Sequence, residues 1–182
     1  MVWWGVDRRQ FLRTMASAAP VLAWPGVVSA RSASVAPRVL NLAHLHTAEK
    51  LEVVYMDGVR YLRHALLAVN HLLRDFRSGD VHDIDPALLD LLHALHASTG
   101  SRRPFEIISA YRSPRTNAML RSHGGGVASG SLHMEGRAID IRLADVPLAA
   151  LRDAALDLGR GGVGFYPASN FVHVDTGRVR RW

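Results

Sequence analysis

Residues 131–140 read Ser131-Leu132-His133-Met134-Glu135-Gly136-Arg137-Ala138-Ile139-Asp140, and residues 171–175 read Phe171-Val172-His173-Val174-Asp175. From Ala138 to Leu143 the chain alternates as a strand does. Ala138, Asp140 and Arg142 share one face, and Ile139, Ile141 and Leu143 share the other. Just ahead of it, Gly136 permits a backbone turn that a side chain would resist. The second segment has the same period, with Phe171, His173 and Asp175 on one face and Val172 and Val174 opposite. Two such strands can bring His133, Asp140 and His173 together on a polar face.

A histidine, an aspartate seven residues on and a second histidine far downstream make three protein ligands for one zinc ion. A fourth position then stays open for water, which is how catalytic rather than structural zinc sites are built. Spacing alone leaves a second reading open, in which these are surface or hydrogen-bonded histidines, since the chain has ten. The other histidines favour that plainer reading. His44 and His46 flank Leu45 with no carboxylate at useful spacing and read as a solvated strand face. His93 and His96 read as the polar edge of a Leu-rich helix, and His64 and His71 as surface.

Working outward, Val39–Leu45 and Leu51–Tyr55 read as a hairpin around a polar turn at Thr47–Lys50. Leu62, Leu66, Val69, Leu73 and Phe76 recur at helical spacing and predict a helix over Val59–Arg77. Asp85 and Pro86 open a second helix that ends before Gly100. Phe105–Ser109 reads as a core strand and Arg115–Ser122 as a short helix. The run His123-Gly124-Gly125-Gly126 is permissive enough to serve as a lid. Asp145 is expected to cap a helix starting at Pro147 and ending at Gly159. Val163–Tyr166, a turn at Pro167–Asn170 and the His173 strand then form an antiparallel hairpin, and basic Arg178–Trp182 packs at the domain edge. The expected class is α+β, a small antiparallel sheet that carries the metal ligands and packs with several helices.

The 182 residues, 48% hydrophobic and 21% charged, suit one globular domain with its own core. With no cysteine, neither disulfides nor thiolate ligands are available, so a metal must be held by histidine and carboxylate. The charge of +6 suits an anionic partner; the first thirty residues hold three arginines and one aspartate, so +4 remains without them. The arginines are scattered, with no basic run interleaved with aromatics, which argues against nucleic acid. Asp7-Arg8-Arg9-Gln10-Phe11-Leu12-Arg13, followed by a modest apolar run ending Val28-Ser29-Ala30, resembles a twin-arginine export signal. Pro20, Pro25 and Gly26 interrupt that run, so no permanent membrane span is expected. The expected organisation is a signal peptide over 1–30, a linker over 31–37 and a catalytic domain over 38–182, exported to the periplasm.

The pattern Ser-x-His-x-x-Gly-x-Ala-x-Asp with a late histidine resembles the signature of zinc metallopeptidases grouped with lysostaphin, D-Ala-D-Ala peptidases and the hedgehog domain. Ser131, His133, Gly136, Ala138, Asp140 and His173 match it. Together with Ser109-Ala110-Tyr111-Arg112-Ser113-Pro114-Arg115-Thr116-Asn117 and Gly161-Gly162-Val163-Gly164-Phe165-Tyr166, the chain is similar to a periplasmic branch of murein endopeptidases. The resemblance implies a zinc-dependent endopeptidase or carboxypeptidase that hydrolyses amide bonds in peptidoglycan stem peptides or cross-links. It also implies that Arg112 faces the substrate, where a guanidinium can pair with a carboxylate or stabilise an oxyanion. Ser131 is placed to support His133 or the substrate, and Asn117 to hydrogen-bond the Arg112 loop.

Two departures from the pattern matter. Where D-Ala-D-Ala peptidases place a glutamate as general base three residues before the last histidine, this chain has Asn170, left with a substrate-binding or supporting role. Where other murein endopeptidases place a histidine two residues before it, this chain has Phe171. Asp175, on the same strand face as His173, becomes the first candidate for the base, with orientation of His173 as its alternative role. The missing glutamate also motivates a second function, a non-catalytic peptidoglycan-binding module on the same scaffold.

Overall fold

The computed structural model describes residue 1, residues 36–124 and residues 128–182. The expected signal segment, most of the linker and Gly125–Gly126 of the glycine run lie outside the described residues. Among the described residues the sheet has eight strands. The first three are β1 (Arg38–His44), β2 (Lys50–Asp57) and β3 (Arg60–Tyr61). They are followed by β4 (Phe105–Ser109), β5 (Ala138–Leu143), β6 (Gly162–Tyr166), β7 (Phe171–Asp175) and β8 (Arg180–Arg181). Four helices accompany them: α1 (Arg63–Leu72), α2 (Pro86–Thr99), α3 (Pro114–Ser122) and α4 (Leu148–Leu158).

The class is α+β, as expected, but the sheet is larger than expected and mixed. Its order is β3-β2-β1-β4-β5-β7-β6-β8. β1 and β4 run parallel because the chain between them travels through α1 and α2 and re-enters from the same end. β8 runs parallel to β6. The antiparallel centre, β4-β5-β7-β6, is the part that the alternating segments specify.

Ile139 and Ile141 of β5 and Val172 and Val174 of β7 are fully buried. They share one core with Leu88, Leu89, Leu92 and Leu95 of α2 and Leu151 and Ala155 of α4. Burying each of these branched side chains stabilises the fold by about 1.5–3 kcal/mol, so the apolar set fixes which face is covered. The opposite face is then left to the polar set, with Asp140 directly across from His173 and Ala138 across from Asp175. A slip of one residue would put a valine opposite Asp140 and drive the ligands into the core.

Three local expectations change. The helix expected over Val59–Arg77 is confined to Arg63–Leu72. At its front, Gly58 adopts φ +59° and folds β3 back on β2. At its rear the chain turns at Asp75, whose carboxylate accepts the Arg77 N–H, and at Gly79 with φ +80°. Asp145 does not cap α4, whose capping position is Pro147; its carboxylate instead accepts the Ser101 hydroxyl and the Arg102 N–H. His44, expected on a solvated face, is buried: its ring packs edge-on to Phe76, and Nδ1 accepts the N–H groups of His46 and Thr47. Asp85 caps α2 as expected, accepting the Ala87 N–H at 3.0 Å, and Gly100 ends it with φ +65°. Among the described residues no helix is long and apolar enough to cross a membrane.

Candidate metal centre

His133 sits on a short 3-10 turn, Leu132–Glu135, that ends at Gly136 with φ +66°. A side chain at Gly136 would also collide with the Asp83 carbonyl, so this turn requires glycine twice over. The turn is tied down from three directions. Asp85 N–H donates to the Gly136 carbonyl (3.0 Å), Arg112 N–H to the His133 carbonyl (3.1 Å) and Arg137 N–H to the Leu132 carbonyl (3.0 Å). β5 and β7 supply Asp140 and His173 side by side.

The three side chains converge. His173 Nδ1 lies 2.9 Å from Asp140 Oδ1, His133 Nε2 lies 3.2 Å from His173 Nδ1, and His133 Nε2 lies 3.4 Å from the same carboxylate oxygen. All three residues are buried. Among the described residues this is the group of histidine and carboxylate atoms that could hold a metal ion.

Each imidazole is oriented by its outer nitrogen. His133 Nδ1 faces the Ala110 carbonyl at 2.6 Å, and a carbonyl only accepts, so that nitrogen carries the proton and Nε2 presents a lone pair. His173 Nε2 donates to Asp175 Oδ2 at 3.1 Å, which turns Nδ1 towards the centre. Burial opposes a charge on His173, yet the carboxylates of Asp140 and Asp175 overcome it and raise its pKa. Burial would likewise push Asp140 up, but His133 and His173 outweigh it and hold the carboxyl well below its usual range. Two imidazole nitrogens and an ionised carboxylate oxygen packed this closely are a donor set for a cation, and the residues fit a divalent metal with open access.

Asp175 is fully buried. Its Oδ1 accepts from Gly162 N–H (3.0 Å), Gly177 N–H (2.8 Å) and Arg180 Nη1 (3.1 Å), and its Oδ2 accepts from Arg180 Nη2 (2.7 Å) as well as His173. Desolvation raises its pKa, and these donors more than reverse that. Such a carboxylate lies behind His173 and outside the described lining of the cleft, a placement that suits the second of its two expected roles, orienting His173.

A cleft of about 490 Å³ opens over the centre. Arg112, Ser131, Leu132, Tyr166, Arg180 and Trp182 line it with the three ligands, and Asp140 is the only carboxylate among its described lining residues. Arg112 is buried, its Nε has no hydrogen-bond partner among the described residues, and one Nη donates to Asn117 Oδ1 at 3.4 Å. Asn117 in turn donates to the Ala128 carbonyl and so links the Arg112 loop to the segment ahead of Ser131. Asn170 is not brought to the cleft; it is an exposed turn residue with φ +54° between β6 and β7.

The sequence reading missed two supports. Asp75, buried beyond α1, accepts Ser113 N–H at 3.0 Å and Ser113 Oγ–H at 2.8 Å, and so anchors the loop that carries Arg112. Arg180 and Trp182 reach the cleft through β8, a two-residue strand too short to show a period. The doublet of glycines at 161–162 was a usable signal, because a side chain at either would run into Asp175.

A family model described as peptidoglycan L,D-endopeptidase MepK matches residues 32–182. The peptidoglycan L,D-endopeptidase MepK of Escherichia coli (strain K12) is 40% identical over 176 residues, covering 97% of this chain and 97% of that protein. The probable peptidoglycan L,D-endopeptidase MepK of Haemophilus influenzae is 38% identical over 177 residues, covering 97% and 95%. Among solved structures, the Serratia marcescens L-Ala D-Glu endopeptidase ChiX is 20% identical with a TM-score of 0.34, over 42% of this chain and 62% of that one. With a family model matching residues 32–182 and relatives this similar along nearly their full length, the chain belongs to the MepK family of peptidases.

Proposed function

We infer that this protein is a metal-dependent murein endopeptidase that hydrolyses amide bonds in peptidoglycan stem peptides or cross-links, that the bond is of the L,D type, and that the metal is one zinc ion. The observation that carries the reading is the convergence of His133 Nε2, Asp140 Oδ1 and His173 Nδ1 at the base of an open cleft. The L,D assignment is supported by 40% identity to the Escherichia coli relative over 97% of both chains. Export by the twin-arginine route to the periplasm, with residues 1–30 as signal, is supported by the Arg8-Arg9 pair and the small-residue end at Ala30.

His133, Asp140 and His173 hold the metal. When bound, it supplies Lewis acidity, lowering the pKa of a coordinated water to about 7 and polarising a carbonyl. The remaining chemistry belongs to the chain. Ala110 and Asp175 fix the tautomers of His133 and His173, so both present lone pairs without reorganisation. Arg112, held by Asn117 and the Asp75–Ser113 anchor, lines the cleft and brings its guanidinium charge to an anionic or oxyanionic oxygen of the substrate. Ser131 also lines the cleft and offers a hydroxyl to the peptide. Desolvation weakens the competition from water for each of these donors.

The mature protein, incubated with defined muropeptides and read by mass spectrometry, is expected to release L,D-cleavage products, to stop on chelation and to resume when Zn2+ is restored. Cleavage that persists without metal overturns the assignment. Sedimentation with sacculi and no release of soluble fragments would identify a binding module instead.

A further inference from the structure

The C-terminal strand delivers an indole to the cleft. Trp182 N–H donates to the Val163 carbonyl at 3.2 Å, and Phe165 N–H donates to the Trp182 carbonyl at 3.1 Å, so the residue is locked to the sheet edge. Its ring lies 5.2 Å from that of His173, with the Arg180 guanidinium 4.8 Å from the indole. Room for it comes from Gly164, the register neighbour of His173 on β6. A Cβ there would stand 2.8 Å from two indole atoms and 2.8 Å from the Tyr166 ring.

The indole Nε1–H donates to Tyr166 Oη at 2.7 Å. An indole nitrogen can only donate, so the phenol oxygen is the acceptor and the Tyr166 proton must point elsewhere. The ring is stacked on Phe171 at 4.6 Å and 21°, which favours this orientation. Among the described residues the Tyr166 hydroxyl donates to no protein acceptor, and Tyr166 lines the cleft that holds the metal ligands. The cleft lining to which Tyr166, Arg112, Ser131 and Arg180 belong is therefore rich in donors, complementary to the carbonyl and carboxylate oxygens of a peptide.

We propose that Tyr166 binds the substrate by donating its hydroxyl hydrogen to an acceptor oxygen of the peptide, and that Trp182 is the positioning residue that aims it. The proposal rests on the peptidase reading of the cleft and adds a contact within the lining to which Arg112 also belongs. It also gives Phe171 a use, as the stacking partner of Tyr166.

The test compares the zinc-loaded wild type with Tyr166→Phe, Trp182→Phe and the double variant. Turnover of one defined muropeptide and its binding by calorimetry are measured for each, alongside metal content and thermal midpoint. Loss of one neutral hydrogen bond predicts a fall in kcat/KM and in affinity of up to ~10-fold for Tyr166→Phe. Trp182→Phe keeps an aromatic wall and is expected to lose about 3-fold, within the same range. The double variant should match Tyr166→Phe alone, because an indole with no hydroxyl to aim has nothing left to lose. Metal content should not change.

Full affinity and turnover in Tyr166→Phe would overturn the proposal, as would a double variant whose losses multiply. Binding without turnover in the wild type would sink the peptidase reading alone, since the affinities still report on Tyr166. Absence of both binding and turnover would sink the two together.

Discussion

Two buried histidine sites in this molecule differ in a single respect. At the metal centre, the outer nitrogens of His133 and His173 donate to Ala110 O and Asp175, so lone pairs turn inward on Asp140. At the corner after β1, His44 is as deeply buried, but its Nδ1 lone pair is consumed by the N–H groups of His46 and Thr47. Its Nε2 then carries the proton and has no hydrogen-bond partner among the described residues. The nearby carboxylate, Glu49, is occupied by Arg74 at 2.8 Å. A buried imidazole becomes a ligand when something behind it takes its proton, and becomes a turn cap when something beside it takes its lone pair.

The largest test of that contrast removes the carboxylate in front. Asp140→Ala is expected to lose the metal and to lower muropeptide cleavage by at least ~100-fold, the upper end of what removing a mere supporting contact costs. Metal analysis after gel filtration checks it, and His44→Leu, measured in parallel, should retain its full complement. A variant of the corner that also loses metal would show that the two sites are not independent.

A smaller effect is expected behind the ligand. Asp175→Asn keeps an oxygen for the Gly162 and Gly177 N–H groups but sets an amide NH2 against the His173 Nε2–H. The imidazole relieves that clash by shifting its proton to Nδ1, where it blocks the metal. Affinity should fall ~10–100-fold, with activity recovering at high metal concentration, and a chelator-competition titration measures it. Unchanged affinity would mean that β7 alone orients His173.

What was legible in the sequence follows the same line. Period-two alternation located β5 and β7 and put Asp140 and His173 on one face, because apolar burial alone decides which side of a strand is dry. The ligand trio could thus be named in advance, while the partners behind it could not. Ala110 contributes a backbone carbonyl, which no residue type announces. Asp75 acts through Ser113, far along the chain, Arg180 sits on a strand too short to show a period, and Asp175 reads as a base because strand spacing reports its face but not the donors closing over it. The sheet was underestimated for a related reason. β3 and β8 have two residues each, and both exist through pairing rather than through any pattern of their own.

The corner offers the last and smallest test. His44→Leu keeps an apolar filling for the site but leaves the His46 and Thr47 N–H groups without an acceptor, and should cost about 1–3 kcal/mol in urea unfolding at pH 7.5. Burial lowers the His44 pKa, and His46 and Arg74 add to this while Glu49 partly opposes them. The folded state therefore holds His44 neutral where the unfolded chain, with a pKa of about 6.5, takes up a proton. Stability from the neutral ring is complete above that value and is lost as pH falls through it, by up to about 1.4 kcal/mol per unit, until the folded-state pKa is reached. The leucine variant has no such loss, and the metal-site histidines contribute equally to both proteins. The stability gap between wild type and variant should accordingly narrow between pH 7.5 and pH 5. A gap that stays constant would mean that the His44 ring can be protonated in place, and the contrast drawn from its spent lone pair would fail.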